Sequence, residues 1–322
     1  MNTSTKNING NFKDKDILSL DQFTPRDLTI LFKATAKMKK IAVNAQASTL
    51  LQGNIVTLLF YEPSSRTFSS FASAIQRLGG GTIDFQNPLQ TSSAVKGETL
   101  EDSIKTFESY SDLIVMRHPQ KGAAEIAANA ALVPIINAGD GGSEHPTQTL
   151  LDLYTIQEKF GRLDNLTTVL AGDVLNSRTI HSLIRGLSLF KGNTVYLLSS
   201  KQLKLSKEDF SLFSKKGIKI IEISKAQEIP KDADIWYWNR VQKERFASVD
   251  EYEKAKAILT VTPDILKHYG NEKMILMDPL PRIATIDPKV DDDPRAVYFK
   301  SQIRNGMYIR MALIALVLGK KV

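Results

Sequence analysis

The chain of 322 residues contains no cysteine. This absence excludes disulfides, thiolate metal sites and thiol nucleophiles together. Residues 1–16 are rich in Asn, Lys, Ser and Thr and contain no apolar run, so we expect a disordered lead and no signal peptide. The apolar stretch at 311–319 is far shorter than the ~20 residues that a membrane-spanning helix needs. These features predict a soluble, cytoplasmic protein that does not contact membranes.

The glycine motifs of common nucleotide-binding proteins are also missing. Neither Gly-x-Gly-x-x-Gly nor a Walker-type Gly-Lys-Ser/Thr element occurs, which argues against a plain nucleotide-binding protein. The three glycines at 79–81 follow a predicted helix and are interpreted as its cap and turn. The net charge is +7, but Lys and Arg are scattered and form no basic tract, so we expect no nucleic-acid partner. A positive net charge also suits the binding of a small polyanionic substrate.

The distribution of apolar residues predicts two α/β domains. The chain is longer than the ~250–300 residues at which single cores stop growing. From about residue 55 onward, apolar runs alternate with helical patterns, as in parallel sheets flanked by helices. The predicted strands are 55–60, 82–85, 113–117, 133–137, 168–171, 194–199, 218–223, 235–238 and 274–277. The predicted helices are 27–40, 69–78, 99–110, 122–130, 147–160, 178–190, 251–257 and 302–318.

An amphipathic stretch at 147–160 joins the two groups of strands. We interpret it as an interdomain helix that ends at Gly161. The first predicted domain spans residues 1–147 together with a terminal helix, 302–322, that packs back on it. The second predicted domain spans residues 148–301.

The segment 61–67 (YEPSSRT) is the most informative part of the sequence, because it links a predicted strand to a predicted helix. The start of a helix offers unpaired backbone N–H groups and the positive end of the helix dipole. Ser64, Ser65 and Thr67 add hydroxyls there, and Arg66 adds a guanidinium. These features indicate a phosphate site, although an ordinary Ser/Thr N-cap is the simpler alternative for this segment alone.

Three further polar motifs also follow predicted strands, where open α/β sheets bind ligands. They are Arg117 with its neighbour His118, residues 139–148, and residues 279–282. Each alone has a structural alternative: Arg117 as a surface cation, His145 as a histidine at a helix start, and Pro-Leu-Pro as a rigid loop. Their joint placement favours one shared site.

Taken in order, seven motifs closely resemble the catalytic chain of the aspartate carbamoyltransferase family. They are 62–67 (EPSSRT), 96–100 (KGETL), 115–119 (VMRHP), 137–140 (NAGD), 145–153 (HPTQTLLDL), 240–245 (RVQKER) and 279–282 (PLPR). The resemblance spans about residues 18–318. It implies an enzyme that transfers the carbamoyl group of carbamoyl phosphate to the amine of L-aspartate. The products would be N-carbamoyl-L-aspartate and phosphate, in an early step of pyrimidine synthesis.

The resemblance also implies roles for the residues that match the family's motifs. Residues 64–67 would hold the phosphate, and Arg117 would bridge the phosphate and the carbonyl oxygen. Thr67, Arg117 and His145 would stabilise the oxyanion that forms when the amine attacks, with Arg66 beside them. Gln148 and the backbone carbonyls of Pro279 and Leu280 would orient the carbamoyl NH2 group. No protein nucleophile, cofactor or metal is implied.

Aspartate carries two carboxylates, so its site needs planar bidentate donors. Arg178 and Arg240 match the family's positions for this role, with Gln242 and Lys96 in support. The alternative for Arg240 is an ion pair with Glu244 at helical spacing.

Ser92 and Lys96 lie in a polar segment whose simplest interpretation is a solvated surface loop. In the family this loop reaches the active site of the neighbouring subunit, which implies a homotrimer with shared active sites. Separate regulatory chains are a further possible partner in this family.

Two positions depart from the family's usual pattern. Phe68 stands where a second arginine is usual, and Asp278 stands where a histidine is usual. We expect Asp278 to be paired, with Arg282 as one candidate, or to point away from the dianionic ligand.

The nearest rival function is ornithine carbamoyltransferase, which needs an acidic partner for the ornithine amine and has a Cys near 278–282. A second rival is a non-catalytic subunit that only binds carbamoyl phosphate. The absence of Cys argues against the first rival, and the presence of Thr67, Arg117 and His145 argues against the second.

Overall fold

The computed structural model describes residues 7–87, 97–141, 144–241, 246, 248–283 and 285–322, with backbone only at 254–258. The chain divides into two compact units. One comprises Met1–Tyr154 and Asn305–Val322, and the other comprises Thr155–Arg304. In the part of the chain that the structure describes, no helix combines the length and the apolar character needed to cross a membrane.

The first unit is built on a parallel sheet of four strands in the order β2-β1-β3-β4. The strands are β1 (Ile55–Phe60), β2 (Gly81–Gln86), β3 (Leu113–His118) and β4 (Ile135–Asp140). The helices are α1 (Pro25–Val43), α2 (Ser65–Arg77), α3 (Leu100–Glu108) and α4 (Ala123–Ala130). The sheet is well buried because β1 and the first four residues of β3 are almost wholly apolar and every residue of β4 is buried, as in parallel strands covered on both faces.

A long helix, α5 (Pro146–Phe160), begins in the first unit and ends in the second, as the sequence predicts for an interdomain helix. The C-terminal helix, α10 (Ile303–Val317), returns to the first unit. There Arg310 Nη1 donates to Ser70 Oγ of α2 over 2.7 Å. The prediction that the last helix packs back on the first domain is therefore confirmed.

The second unit contains a parallel sheet of five strands in the order β7-β6-β5-β8-β9. The strands are β5 (Thr167–Ala171), β6 (Thr194–Leu198), β7 (Lys219–Ile223), β8 (Ile235–Trp238) and β9 (Ile275–Met277). The helices are α6 (Arg178–Leu187), α7 (Lys207–Lys215), α8 (Val249–Leu259) and α9 (Pro263–Tyr269). Trp236 and Trp238 are buried in its core with ring centroids 5.1 Å apart.

The predicted fold class is confirmed, and the differences from the sequence-based elements have local causes. The strand predicted at 133–137 begins after Pro134 and continues to Asp140. The strand continues past Asn137 because the buried side chain of this residue has a hydrogen-bond partner: its Nδ2 donates to the Leu18 carbonyl over 3.1 Å. Helices α7 and α9 were not predicted, since both are short and each buries one residue, Phe213 and Leu266 respectively.

Candidate active site

The phosphate-loop candidate connects β1 to α2, as its sequence predicts. Ser64 is the residue before the helix, and its side chain makes no capping hydrogen bond in this fully described segment. Ser64 is therefore the N-cap residue by position, but its hydroxyl does not cap the helix. Ser65 and Arg66 are exposed in the first turn, and Thr67 is buried. The positive end of the helix thus carries accessible polar side chains, which suits an anion.

Arg117 is the second-to-last residue of β3, lies beside this loop and is oriented by Glu62. β1 and β3 pair in parallel with Phe60 opposite Arg117, so the residues that follow β1 lie next to Arg117. Arg117 Nε and Nη2 lie 3.1 and 2.9 Å from Glu62 Oε2. The arginine is only 8% exposed, so its guanidinium is held in one orientation.

His118 follows Arg117 and has a different character. Its ring lies 4.7 Å from that of Tyr61, and its Nδ1 accepts the Gln120 N–H over 3.0 Å. Burial lowers the pKa of His118 below its ordinary value. At neutral pH His118 is therefore uncharged, and Arg117 is the cation at the end of this strand.

His145 lies between β4 and α5 and is 5% exposed. Asp140, the last residue of β4, accepts the Gly122 N–H over 3.0 Å and the Glu144 N–H over 3.4 Å. Glu144 in turn accepts the Ser19 hydroxyl over 2.9 Å. Because β1, β3 and β4 end at one edge of the sheet, His145 shares that edge with Arg117 and the phosphate loop.

Two arginines follow neighbouring strands of the second unit. Arg178 is the first residue of α6, after β5, and Arg240 follows β8. β5 and β8 pair in parallel, so both residues start from the same edge of the sheet. Both side chains are half-buried. Two guanidinium groups at one edge suit a substrate with two carboxylates.

The side chain of Asn239 joins the two segments that carry these arginines. Its amide donates to Thr179 Oγ1 over 2.8 Å and also to Ser177 Oγ. Gly172 has a φ of +119°, and an added Cβ there would overlap the Asn239 carbonyl oxygen. The ends of β5 and β8 therefore approach so closely that only glycine fits at position 172.

Sequence reasoning did not identify Glu62 or Asn239 as residues that position the arginines. Glu62 lies within the EPSSRT motif, which was the available signal for it. No sequence signal marks Asn239, because its partners are 60 and 62 residues away in the chain.

Three predicted site residues, Ser92, Lys96 and Gln242, lie outside the described residues. Glu244, the alternative partner of Arg240, lies outside them as well. Among the described residues, no group of three or more His, Asp or Glu could hold a metal ion.

Two family models match the chain over most of its length. The model of the aspartate/ornithine carbamoyltransferase carbamoyl-P binding domain matches residues 15–158, and that of the Asp/Orn binding domain matches residues 164–317. The chain belongs to the aspartate/ornithine carbamoyltransferase family.

Relatives in this carbamoyltransferase family cover nearly the whole chain. The chain is 45% identical over 95% of its length to the multifunctional protein pyr1-3 of Dictyostelium discoideum, of which it spans 14%. It is 42% identical to the aspartate carbamoyltransferase catalytic subunit of Thermococcus onnurineus, covering 96% of this chain and 98% of the relative. A solved aspartate transcarbamoylase of Trypanosoma cruzi, in complex with carbamoyl phosphate and aspartate, is 39% identical with a TM-score of 0.88. That comparison covers 95% of this chain and 96% of the other.

Asp278 departs from the usual carbamoyltransferase pattern, and the structure shows its partners. Its carboxylate accepts the Leu280 N–H over 2.6 Å and the Thr285 hydroxyl over 3.3 Å. The carboxylate therefore shapes the loop that carries Pro279 and Leu280, in which the Leu280–Pro281 bond is cis. Phe68, the other departure, packs edge-on against Phe60 with ring centroids 5.3 Å apart.

Arg282 was a candidate partner of Asp278, and that prediction is wrong. Arg282 instead makes a two-pronged ion pair with Asp291, in which Nη2 donates to Oδ2 over 2.7 Å. Tyr298 donates its hydroxyl to the same carboxylate over 2.5 Å. Arg282 stays with Asp291 because that carboxylate matches both prongs of its guanidinium.

Proposed function

We propose that the protein is an aspartate carbamoyltransferase. It transfers the carbamoyl group of carbamoyl phosphate to the amine of L-aspartate, in de novo pyrimidine biosynthesis, and releases phosphate. The observation that carries the choice of aspartate is the pair Arg178 and Arg240 at neighbouring strand ends of the second unit. An ornithine site needs an acidic partner for the side-chain amine, and a pair of cations would repel that amine.

The first domain, residues 1–147 with 302–322, binds carbamoyl phosphate in this proposal. Ser64, Ser65, Arg66 and Thr67 hold the phosphate at the start of α2. This assignment is supported by the missing side-chain cap at Ser64 and by the exposure of Ser65 and Arg66. A dianion there interacts favourably with the helix dipole and the guanidinium.

Thr67, Arg117 and His145 act on the carbonyl oxygen of carbamoyl phosphate. The aspartate nitrogen attacks the carbonyl carbon, and the carbonyl oxygen gains negative charge. Donors that are already oriented stabilise this charge without reorganising. The ion pair of Arg117 with Glu62 and the burial of His145 support that role.

The step is completed by the leaving group. The bond between the carbonyl carbon and the bridging phosphate oxygen breaks, and the amine proton passes to the departing phosphate. Gln148 and the carbonyls of Pro279 and Leu280 orient the carbamoyl NH2 group. Holding both reactants in line lowers the barrier by proximity.

The second domain, residues 148–301, binds aspartate. Arg178 and Arg240 hold its carboxylates, with Gln242 in support. The functional unit is a homotrimer in the cytoplasm, in which Ser92 and Lys96 of a neighbouring subunit complete each site. Regulatory chains are a further possible partner. This assembly follows from the resemblance of the segment that carries Ser92 and Lys96 to the family's intersubunit loop.

An amine-selectivity assay tests the proposed function. Purified protein is supplied with carbamoyl phosphate and either L-aspartate or L-ornithine, and product formation is followed in wild type and Arg240→Ala. We expect carbamoyl aspartate from wild type and a large loss in the variant. The exposed Arg304 provides an Arg304→Ala control that should retain activity. Turnover of ornithine alone would contradict the proposal.

A further inference from the structure

Gln148 and Asp152 lie one turn apart on α5, with their side chains in contact. Gln148 Nε2 donates to Asp152 Oδ1 over 3.1 Å. Such a pair on an exposed helix face is an ordinary helix-stabilising contact. Here Asp152 is fully buried, whereas Gln148 is half-buried. A buried carboxylate is costly unless hydrogen bonds and an opposite charge compensate it.

The opposite charge comes from Arg310 on the C-terminal helix. Arg310 is 4% exposed, and its Nη1 donates to Ser70 Oγ over 2.7 Å. Its guanidinium lies 5.0 Å from the centre of the Phe71 ring. Burial lowers the pKa of Arg310 to about 10, and the charge of Asp152 acts in the opposite direction. The guanidinium is therefore cationic at neutral pH and supplies the opposite charge that a buried carboxylate at position 152 needs.

The contact with Asp152 decides how the Gln148 amide is turned, because Gln148 Nε2 is the atom that faces the carboxylate. An ionised carboxylate accepts hydrogen bonds and cannot donate them. The NH2 group of Gln148 must therefore face Asp152, and this leaves the amide oxygen, Oε1, on the other side of the planar group. A protonated or neutral residue at position 152 would not impose this choice.

We propose that Asp152 is a positioning residue that fixes the Gln148 amide with its oxygen toward the carbamoyl NH2 group, so that the site selects carbamoyl phosphate over acyl phosphates without an NH2. This inference rests on the proposed function. Acetyl phosphate has a methyl group where carbamoyl phosphate has NH2, and the two are otherwise alike in shape and charge. Sites that hydrogen-bond a substrate group reject analogues that lack it, because their own polar atoms are left unpaired.

The test replaces Asp152 with the isosteric Asn, which can donate or accept and so releases the orientation of Gln148. The KM for carbamoyl phosphate and the inhibition constant of acetyl phosphate are measured in the same protein. We expect the KM to rise about tenfold and the inhibition constant to change less than about twofold, since the methyl group makes no hydrogen bond. Equal weakening of both ligands, or no change in either, would overturn the proposal.

A double variant separates positioning from general damage to the helix. If Asp152 acts through Gln148, then adding Asp152→Asn to Gln148→Ala should not raise the KM for carbamoyl phosphate further. The matched control is Thr149→Val, a fully buried residue whose hydroxyl has no hydrogen-bond partner among the described residues. That variant should keep the wild-type ratio of the two constants.

A second variant changes the same contact from its more exposed side, in case Asp152→Asn does not fold. Gln148→Met keeps the length of the side chain but has neither an amide oxygen nor an NH2 group. The KM for carbamoyl phosphate should rise about tenfold while the inhibition constant of acetyl phosphate stays within about twofold of wild type, and equal weakening of both ligands would contradict the inference. Absence of any carbamoyl transfer by wild type would instead refute the proposed function.

Discussion

At the residue scale, Arg117 is the side chain whose geometry makes the clearest prediction. Glu62 orients the Arg117 guanidinium through two contacts. The planar donors of this guanidinium can bind the phosphate and the carbonyl oxygen together. Arg117→Lys keeps the charge but offers a single ammonium. We expect kcat to fall by about 100-fold or more, as for the loss of an oxyanion donor. Steady-state kinetics of the variant measures this loss.

The control for Arg117→Lys is the same substitution at Arg77, an exposed residue at the end of α2. Arg77→Lys should leave kcat within about twofold of wild type, because surface substitutions away from special features have small effects. A similar kcat for Arg117→Lys and wild type would contradict the role of Arg117.

Asp293 provides a prediction about pH and stability. Hydrogen bonds from the Arg295 side chain lower the pKa of Asp293 below its ordinary value of 3.8. A carboxyl whose pKa is lower in the folded state contributes stability above its unfolded pKa and loses it as the pH falls. Asp293→Asn should therefore lower the free energy of unfolding by about 1–2 kcal/mol at pH 7, with the difference shrinking below about pH 4. Urea unfolding at several pH values measures it.

The neighbouring Asp292 supplies the control, since it is exposed and forms no ion pair within the described ranges. Asp292→Asn should change stability by less than about 0.5 kcal/mol at any of these pH values. A difference between Asp293→Asn and wild type that stayed constant with pH would argue against the ion pair.

At the element scale, the contact between the end of β8 and the start of α6 sets the spacing of Arg178 and Arg240. Asn239→Ala removes both bonds of Asn239 to the α6 turn while leaving the two arginines in place. We expect the KM for aspartate to rise about tenfold with the KM for carbamoyl phosphate little changed. A parallel rise in both constants would mean that the contact serves general stability only.

The elements themselves could largely be predicted from sequence, and the reasons are visible at particular residues. β8 is an uninterrupted apolar run and β1 is interrupted only by Thr57, so both bounds of each were predicted from the sequence. Helix α7 was missed because its charged residues outnumber its buried ones. The extension of β4 to Asp140 depends on bonds to Leu18 and Gly122, which no local pattern encodes.

Some residues of the candidate site could likewise be predicted from sequence and others could not. The motifs identify residues 64–67, Arg117, His145 and Arg240 directly, because ligand-binding residues follow strands in this fold class. The supporting partners Asn239 and Arg310 depend on packing between distant parts of the chain, whereas Asp152 contacts Gln148 only four residues away. Arg310 had one sequence signal, a single charge within the apolar run of the last helix.

At the scale of the whole molecule, the proposed homotrimer with shared active sites can be tested by a mixing experiment. Lys96→Ala and Arg240→Ala should each be nearly inactive alone. If Lys96 acts in the neighbouring subunit, dissociating and reassociating the two variants together should form some sites with both residues intact. We expect activity to reappear in the mixture. The control is each variant taken alone through the same dissociation and reassociation. A mixture that stays inactive although trimers have exchanged subunits would place Lys96 in its own subunit's site.

The most direct test of the central claim is a competition between the two amines in one vessel. Wild-type protein receives carbamoyl phosphate labelled with carbon-13 on the carbonyl, together with equal concentrations of L-aspartate and L-ornithine, and the labelled products are resolved by NMR. The account predicts that nearly all of the label enters N-carbamoyl-L-aspartate, with one phosphate released for each product formed. Label found mainly in carbamoyl ornithine, or phosphate released without any carbamoylated amine, would contradict it.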